Sequence, residues 1–470
     1  MAAIRRLKAS IRTPNSRPKE ESTLHTFSAE ASAGLGGPEW LRLRRAGGYE
    51  AFAAASLPSE SEEVWRYTPI DHLALEEFTA LATNDPGGER PAGRGEATQL
   101  LESFASEFGA AAATVLVHNG RVVSVARSET GAGDGDAVFA LGVADEVAGA
   151  PDMLGSVQQG GDALVRLNDA FAPDPLFLDV PAGTAIAGPV LIVHWSDPGL
   201  PVFPRLCVRA GSRASVAVVE VFAGAQGPSR SLVVPVTELS AADGASVSYT
   251  SVQILGQAAW SLGRLAACGG GESELRTFTA GLGSAYGRVR ADVMVDGKEG
   301  SCEVLSTYLG DGTQVHDIRT LQDHVAPRTT SELLCQGAVA GKSRSVYSGL
   351  IRVHRGAVRS DARQTNHNLV LDEGAHADSV PNLDILENDV KCSHASTVGP
   401  IDEDQRYYIE SRGVAPEVAE GLIVRGFFDA ILERGPVPEI TPFLRREIYS
   451  RLDAALGSEA AAGRAVATDA

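Results

Sequence analysis

A chain of 470 residues with 60 acidic and 41 basic side chains carries a formal net charge of -19, which argues against a nucleic-acid binder, because neutralising phosphates takes clustered Lys and Arg. Five widely spaced cysteines, an odd number, rule out a disulfide framework and fit reduced thiols in a cytoplasmic protein. No apolar run approaches the roughly 20 residues that span a bilayer, and fifty glycines with 6% aromatics suit repeated short strands better than a helical bundle.

Residues 1–37 lack periodicity, begin with Arg5, Arg6, Lys8, Arg12 and Arg17 but no apolar signal core, and end among glycines, so a disordered tail is expected. From 38 to 175 the texture is mostly helical, with Ala-rich runs at 49–57 and 99–108 and a Pro- and Gly-rich interruption at 85–95. Within it, Trp65 and Tyr67 flank Arg66 in a segment that reads as an amphipathic anchor. Asn119-Gly120 between β-branched runs predicts a hairpin with a type I′ turn. The acidic, Gly-rich stretch 130–136 is a loop without EF-hand spacing, and helical texture returns over 162–172.

From 176 to 399 short apolar runs alternate with Gly, Asp, Ser and Asn turns, as in Val190–His194, Ser215–Phe222, Ser246–Leu255 and Ser345–Val353. No amphipathic helix separates them, so a doubly wound sheet is disfavoured. Strands recurring over so long a span overrun a sandwich, whereas a β-helix keeps stacking rungs, and its open ends demand a cap or a partner. Gly337–Ser343 ends like a phosphate-binding loop but has one residue too few between its glycines, and reads as a turn.

Over 400–457 the pattern is helical. Asp402 with Gln405 has capping-box spacing, Gly413 suits a helix end, and Pro416 suits the first turn of a second helix bearing Leu422, Ile423, Phe427 and Phe428. A third helix carries Phe443, Leu444, Ile448 and Leu452, and an Ala-rich tail is expected over 458–470.

The chemistry concentrates in Val390-Lys391-Cys392-Ser393-His394. On extended backbone Cys392 and His394 share one face, about 6–7 Å apart. Two metal ligands then point the same way, where a zinc or iron-sulfur site wants about four. This is half a site; the same residues also suit a buried thiol packing beside a histidine at a strand end.

The block Asp389–Gly399 resembles the signature of the SufB/SufD family of iron-sulfur cluster assembly proteins, Tyr407–Gly413 resembles that family's next block, and Trp65-Arg66-Tyr67-Thr68-Pro69 looks like a motif near the start of its SufD branch. Where SufB-like sequences place a cysteine after a glutamine, this chain has Thr365 after Gln364, and where they show Glu-His-Glu it has Ser393-His394-Ala395. Both departures resemble SufD. The resemblance implies a mainly β protein, a right-handed parallel β-helix flanked by an N-terminal mostly helical region and a C-terminal helical region. It implies pairing with a SufB-like subunit through the β-helices and docking of a SufC-like ATPase on the C-terminal helices, with Leu422, Ile423, Phe427 and Phe428 as candidate contacts. It further implies a non-catalytic scaffold, a homodimer when alone, and a transient iron-sulfur cluster shared with SufB, with His394 and Cys392 as candidate ligands. ATP-driven closure of the SufC subunits would shift the shared interface and open those ligands. The rival class is a β-helical polysaccharide lyase using Arg352, Arg355, Arg359, Asp361 and Arg363; a third is a purely structural subunit.

Overall fold

The computed structural model describes residues 26–78, 93–109, 111–128, 139–158 and 160–468. Two sheets, of ten and eleven strands, face each other along one axis. From Leu176 the chain alternates between them, so that each sheet is built of parallel neighbours from successive turns, about eight turns in all. Tyr286, Val315, Arg344 and His376 stand over one another in consecutive rungs. Because side chains alternate across each strand, every second residue joins an interior column, as Val304 and Leu333 do, while the others face outward. Stacked turns leave little room: a Cβ on Gly297 would lie 1.9 Å from the backbone of Gly270 and Gly271. This is the expected parallel β-helix.

Helices α1 (Ala29–Ala33), α2 (Glu39–Ala54), α3 (Arg94–Phe108), α4 (Ala150–Met153) and α5 (Ala163–Phe171) flank the first rungs. The tail expected over 1–37 needs correction from residue 26 onward, residues 1–25 lying outside the described ones. Ser28 caps α1, and Phe27 is buried with ring centroids 5.2 Å from Phe171 and 5.9 Å from Phe203. Nor does a boundary at 175 separate two bodies. The hairpin Ala113–His118 and Arg121–Arg127, turning through Asn119 (φ +50°) and Gly120 (φ +79°), continues the ten-stranded sheet by pairing with Val190–Ser196. Ala140–Gly142 closes the other sheet. The loop expected at 130–136 lies outside the described residues, as does most of 85–95.

The segment around Trp65 is an anchor. The Arg288 guanidinium sits 3.7 Å over the Trp65 ring and donates to the Val64 carbonyl at 2.9 Å, while Arg319 donates to the Arg66 carbonyl at 2.9 Å. Nearby, buried Glu238 accepts from the backbone N–H groups of Gly155, Val157 and Gln158 at 2.8, 3.0 and 2.8 Å and from Arg205 at 2.5 Å, fastening the 155–158 loop to the first rungs.

After the last strand come α6 (Glu403–Glu410), α7 (Pro416–Leu432) and α8 (Thr441–Thr468). Asp402 caps α6 by accepting from the N–H groups of Asp404 and Gln405, and Pro416 opens α7. Val424, Phe428 and Ile431 of α7 and Leu444, Ile448 and Leu452 of α8 are buried against the outer face of the ten-stranded sheet, with α3 alongside. The helix continues to Thr468, so the tail expected from 458 is helical backbone instead. Gly337–Ser343 spans a strand end and a tight turn in which Gly341 has φ +63°.

Candidate functional site at the open terminal rung

The last rung consists of His376–Ile385 and Lys391–Gly399, each the final strand of its sheet. The rung beneath it consists of Arg344–Val353 and Asp361–Val370, called penultimate below. Their register sets Ala362 opposite Cys392, Gln364 opposite His394, Asn366 opposite Ser396 and Asn368 opposite Val398. The four lower residues are buried in the interior, so the four upper ones project the same way, into a rung that nothing among the described residues covers. Cys392 and His394 therefore share the inward face, as their spacing requires. Ser396 confirms the direction by bonding across the rung to Ser379, Oγ to Oγ, at 2.6 Å.

Cys392 is half-buried and packs beside Ile351, Val353, Ala357 and Ala362. Burial first, and then the charge of Asp361, push its thiol above the ordinary range, against the opposing effect of the Ala362 N–H. It is held as a neutral thiol, and a metal would have to displace its proton. His394 is exposed. Among the described residues no three His, Cys, Asp or Glu side chains converge on one point; Cys392 and His394 supply two donors.

The interior beneath is polar. Asn366 Oδ1 accepts from Asn368 Nδ2 at 2.6 Å and from Ser379 Oγ at 2.8 Å, and Tyr308 donates to Asn368 Oδ1. Gln364 is buried, yet neither its Oε1 nor its Nε2 has a hydrogen-bond partner among the described residues, an arrangement that costs about 1–3 kcal/mol per group. Around the mouth Leu383, Leu386 and Val398 are 41–49% exposed. Sequence reasoning missed this rim and the Gln364, Asn366, Asn368 column. The signal was there: three amides at a period of two, on the face where the strand below carries Leu333 and Cys335.

The four candidate docking residues separate. Phe428 is fully buried in the core, which corrects its assignment as a surface contact. Ile423 and Phe427 are half-buried, and with Leu422, which is 49% exposed, they line a groove of about 600 Å³ between α6, α7 and the outer face of the last two rungs, where Leu369 and His367 form the floor. None of the residues of α6 is buried, and its Tyr407 and Tyr408 are exposed. The residues cast for a lyase do not meet at one site. Arg352 pairs with Asp384 on the outer face of the eleven-stranded sheet, Arg363 with Asp361 on the ten-stranded one, and Arg359 with Asp389 at a turn.

Residues 194–427 match the family model described as SUF system FeS cluster assembly, SufBD core domain. Among similar proteins, an iron-sulfur cluster assembly SufBD family protein of Mycobacterium leprae is 38% identical over 179 residues, 36% of this chain and 46% of that one. The mycobacterial match thus spans about half of the relative's length. The chloroplastic protein ABCI7 of Arabidopsis thaliana is 25% identical over 466 residues, 95% of this chain and 93% of that one. The iron-sulfur cluster assembly protein SufD of Escherichia coli is 25% identical over 382 residues, 80% and 85% of the two chains. With that core domain running through the solenoid from its first rung, at His194, to the docked helix at Phe427, the chain belongs to the SufBD family of the SUF iron-sulfur cluster assembly system, as a SufD-like subunit.

Proposed function

We propose that this chain is the non-catalytic scaffold subunit that completes the ligand set of a nascent iron-sulfur cluster across a seam with a SufB-like sister subunit, the cluster being cargo and not a resident cofactor. The observation that carries this reading is the placement of His394 and Cys392 on the inward face of an uncovered terminal rung. Two donors from this side need further donors from a chain seated on the rung, and the apolar rim of Leu383, Leu386 and Val398 offers that chain a surface. Without the sister subunit the same rim favours a homodimer.

The C-terminal helices are the proposed seat of a SufC-like ATPase, through Leu422, Ile423 and Phe427 and the exposed Tyr407 and Tyr408. Only Pro400, Ile401 and Asp402 link the His394 strand to α6, so displacing that helix would move the strand bearing His394. All five cysteines are free and no described helix is long and apolar enough to cross a membrane; both fit the proposed cytoplasmic location.

The test is co-production with SufB-like and SufC-like subunits and quantitation of iron and sulfide in the purified complex. His394→Ala is expected to leave the complex assembled on size-exclusion chromatography and to lower cluster content at least about tenfold, the effect of losing one good ligand interaction. An intact complex with undiminished cluster would reduce the subunit to a structural role.

A further inference from the structure

Gln364 and His394 face each other in hydrogen-bonded parallel strands, which brings their backbones within about 5 Å, and both side chains project into the solenoid. The Gln364 amide reaches across to Gly349 on the facing sheet, where an added Cβ would lie 2.3 Å from the Tyr347 hydroxyl and 2.4 Å from Nε2 of Gln364. Glycine there makes room for it. The neighbouring polar groups bond to one another: Asn366 with Asn368 and Ser379, Tyr347 with Thr320 at 3.4 Å, Ser379 with Ser396. Gln364 alone in this column keeps a carbonyl and an amino group without partners among the described residues. The side chain directly above it is the imidazole of His394, a ring with one donor and one acceptor nitrogen when neutral.

A buried amide left unpaired calls for an explanation. We propose that Gln364 is the positioning residue of His394: its Oε1 accepts the N–H of one ring nitrogen, which fixes the tautomer and turns the lone pair of the other nitrogen toward the open rung. This deepens the proposed function and rests on its reading of His394 as a donor. An imidazole that holds a metal ordinarily gives its second N–H to an oxygen acceptor, which orients the ring and strengthens the ligand. Here the acceptor is an amide carbonyl from the rung below, in place before any partner arrives.

The experiment reads the tautomer directly, by nitrogen-detected correlation spectra of the full chain labelled with ¹⁵N-histidine. His394 is assigned by its loss in His394→Gln, and spectra are taken near pH 8.5, where ordinary imidazole is neutral. In the unaltered chain the ratio of the two tautomers is expected to differ from that of free imidazole by about fivefold, the bias one hydrogen bond supplies. Gln364→Met is expected to return the ratio to that of free imidazole, and Gln364→Glu, which keeps an acceptor, to restore the bias. Equal ratios in the unaltered chain and Gln364→Met overturn the proposal. If that variant fails to fold, Gln364→Leu removes the acceptor instead, and an unchanged ratio there has the same force. The readout uses the chain without cluster or partner, so it can fail while His394 still serves the cargo, and it can succeed while His394→Ala leaves cluster formation intact.

Discussion

At its first rungs the solenoid buries Arg205 against Glu238 and binds a loop through three backbone N–H groups; at its last rung Leu383 and Val398 reach solvent, and on the rung beneath it Gln364 holds an amide with no partner among the described residues. Both ends are built from the same repeat. The beginning is finished from within, by a hairpin, helices and a buried ion pair that binds a loop, whereas the last rung has nothing stacked over it among the described residues. The difference teaches that a repeat protein separates stability from association by position along its axis: changes at one end should register in folding, and changes at the other in what the molecule binds.

The largest expected effect therefore lies at the closed end. Arg205→Ala strands the Glu238 carboxylate in the interior and should cost about 3–5 kcal/mol in urea-induced unfolding. A loss below about 1 kcal/mol would remove the basis for calling that end internally complete. The next effect comes from acid. Burial pushes His316, stacked on Tyr308, and His324, held between Thr329 and Ser331, down to about 4. Because the folded value lies below the unfolded value of about 6.5, the unfolded chain binds the proton more readily. Stability should be full above that pH and fall by up to about 3 kcal/mol per histidine as pH drops toward 4. His316→Gln with His324→Gln should flatten this slope in unfolding curves recorded between pH 7 and 4.5. The smallest effect on folding belongs to the exposed helices. Leu422→Asp should shift unfolding by no more than about 0.5 kcal/mol, yet weaken capture of a SufC-like ATPase at least about tenfold in a pull-down titration, one desolvated apolar contact being worth that much. Undiminished capture would move the docking surface elsewhere, toward Tyr407 and Tyr408.

Much of this was legible in the sequence, because the two-residue alternation of a strand is local. Cys392 and His394 had to share a face once the strand was granted, and Asn119-Gly120 had to turn. Facts set by packing partners far along the chain were not legible. Phe427 and Phe428 are neighbours, but about 100° separates consecutive residues around a helix, and only the docked sheet decides that the second is buried. Residues 26–37 show no periodicity, since irregularly spaced side chains fasten them: Phe27 between Phe171 and Phe203, Ser32 on the Ala170 carbonyl, and Leu35 in the same apolar cluster. The Ala-rich end of α8 could have been read better, alanine being the strongest helix former. Gln364, Asn366 and Asn368 broke the expected pattern of a core strand, and such breaks tend to mark function.

The antiparallel hairpin and helices over the first rungs carry one further implication. A solenoid with two bare ends can add copies head to tail without limit and grow a filament. Blocking one terminus gives the molecule a valence of one along its axis, so whatever mates with the rung bearing His394 also ends the growth, and association by this route halts at a pair.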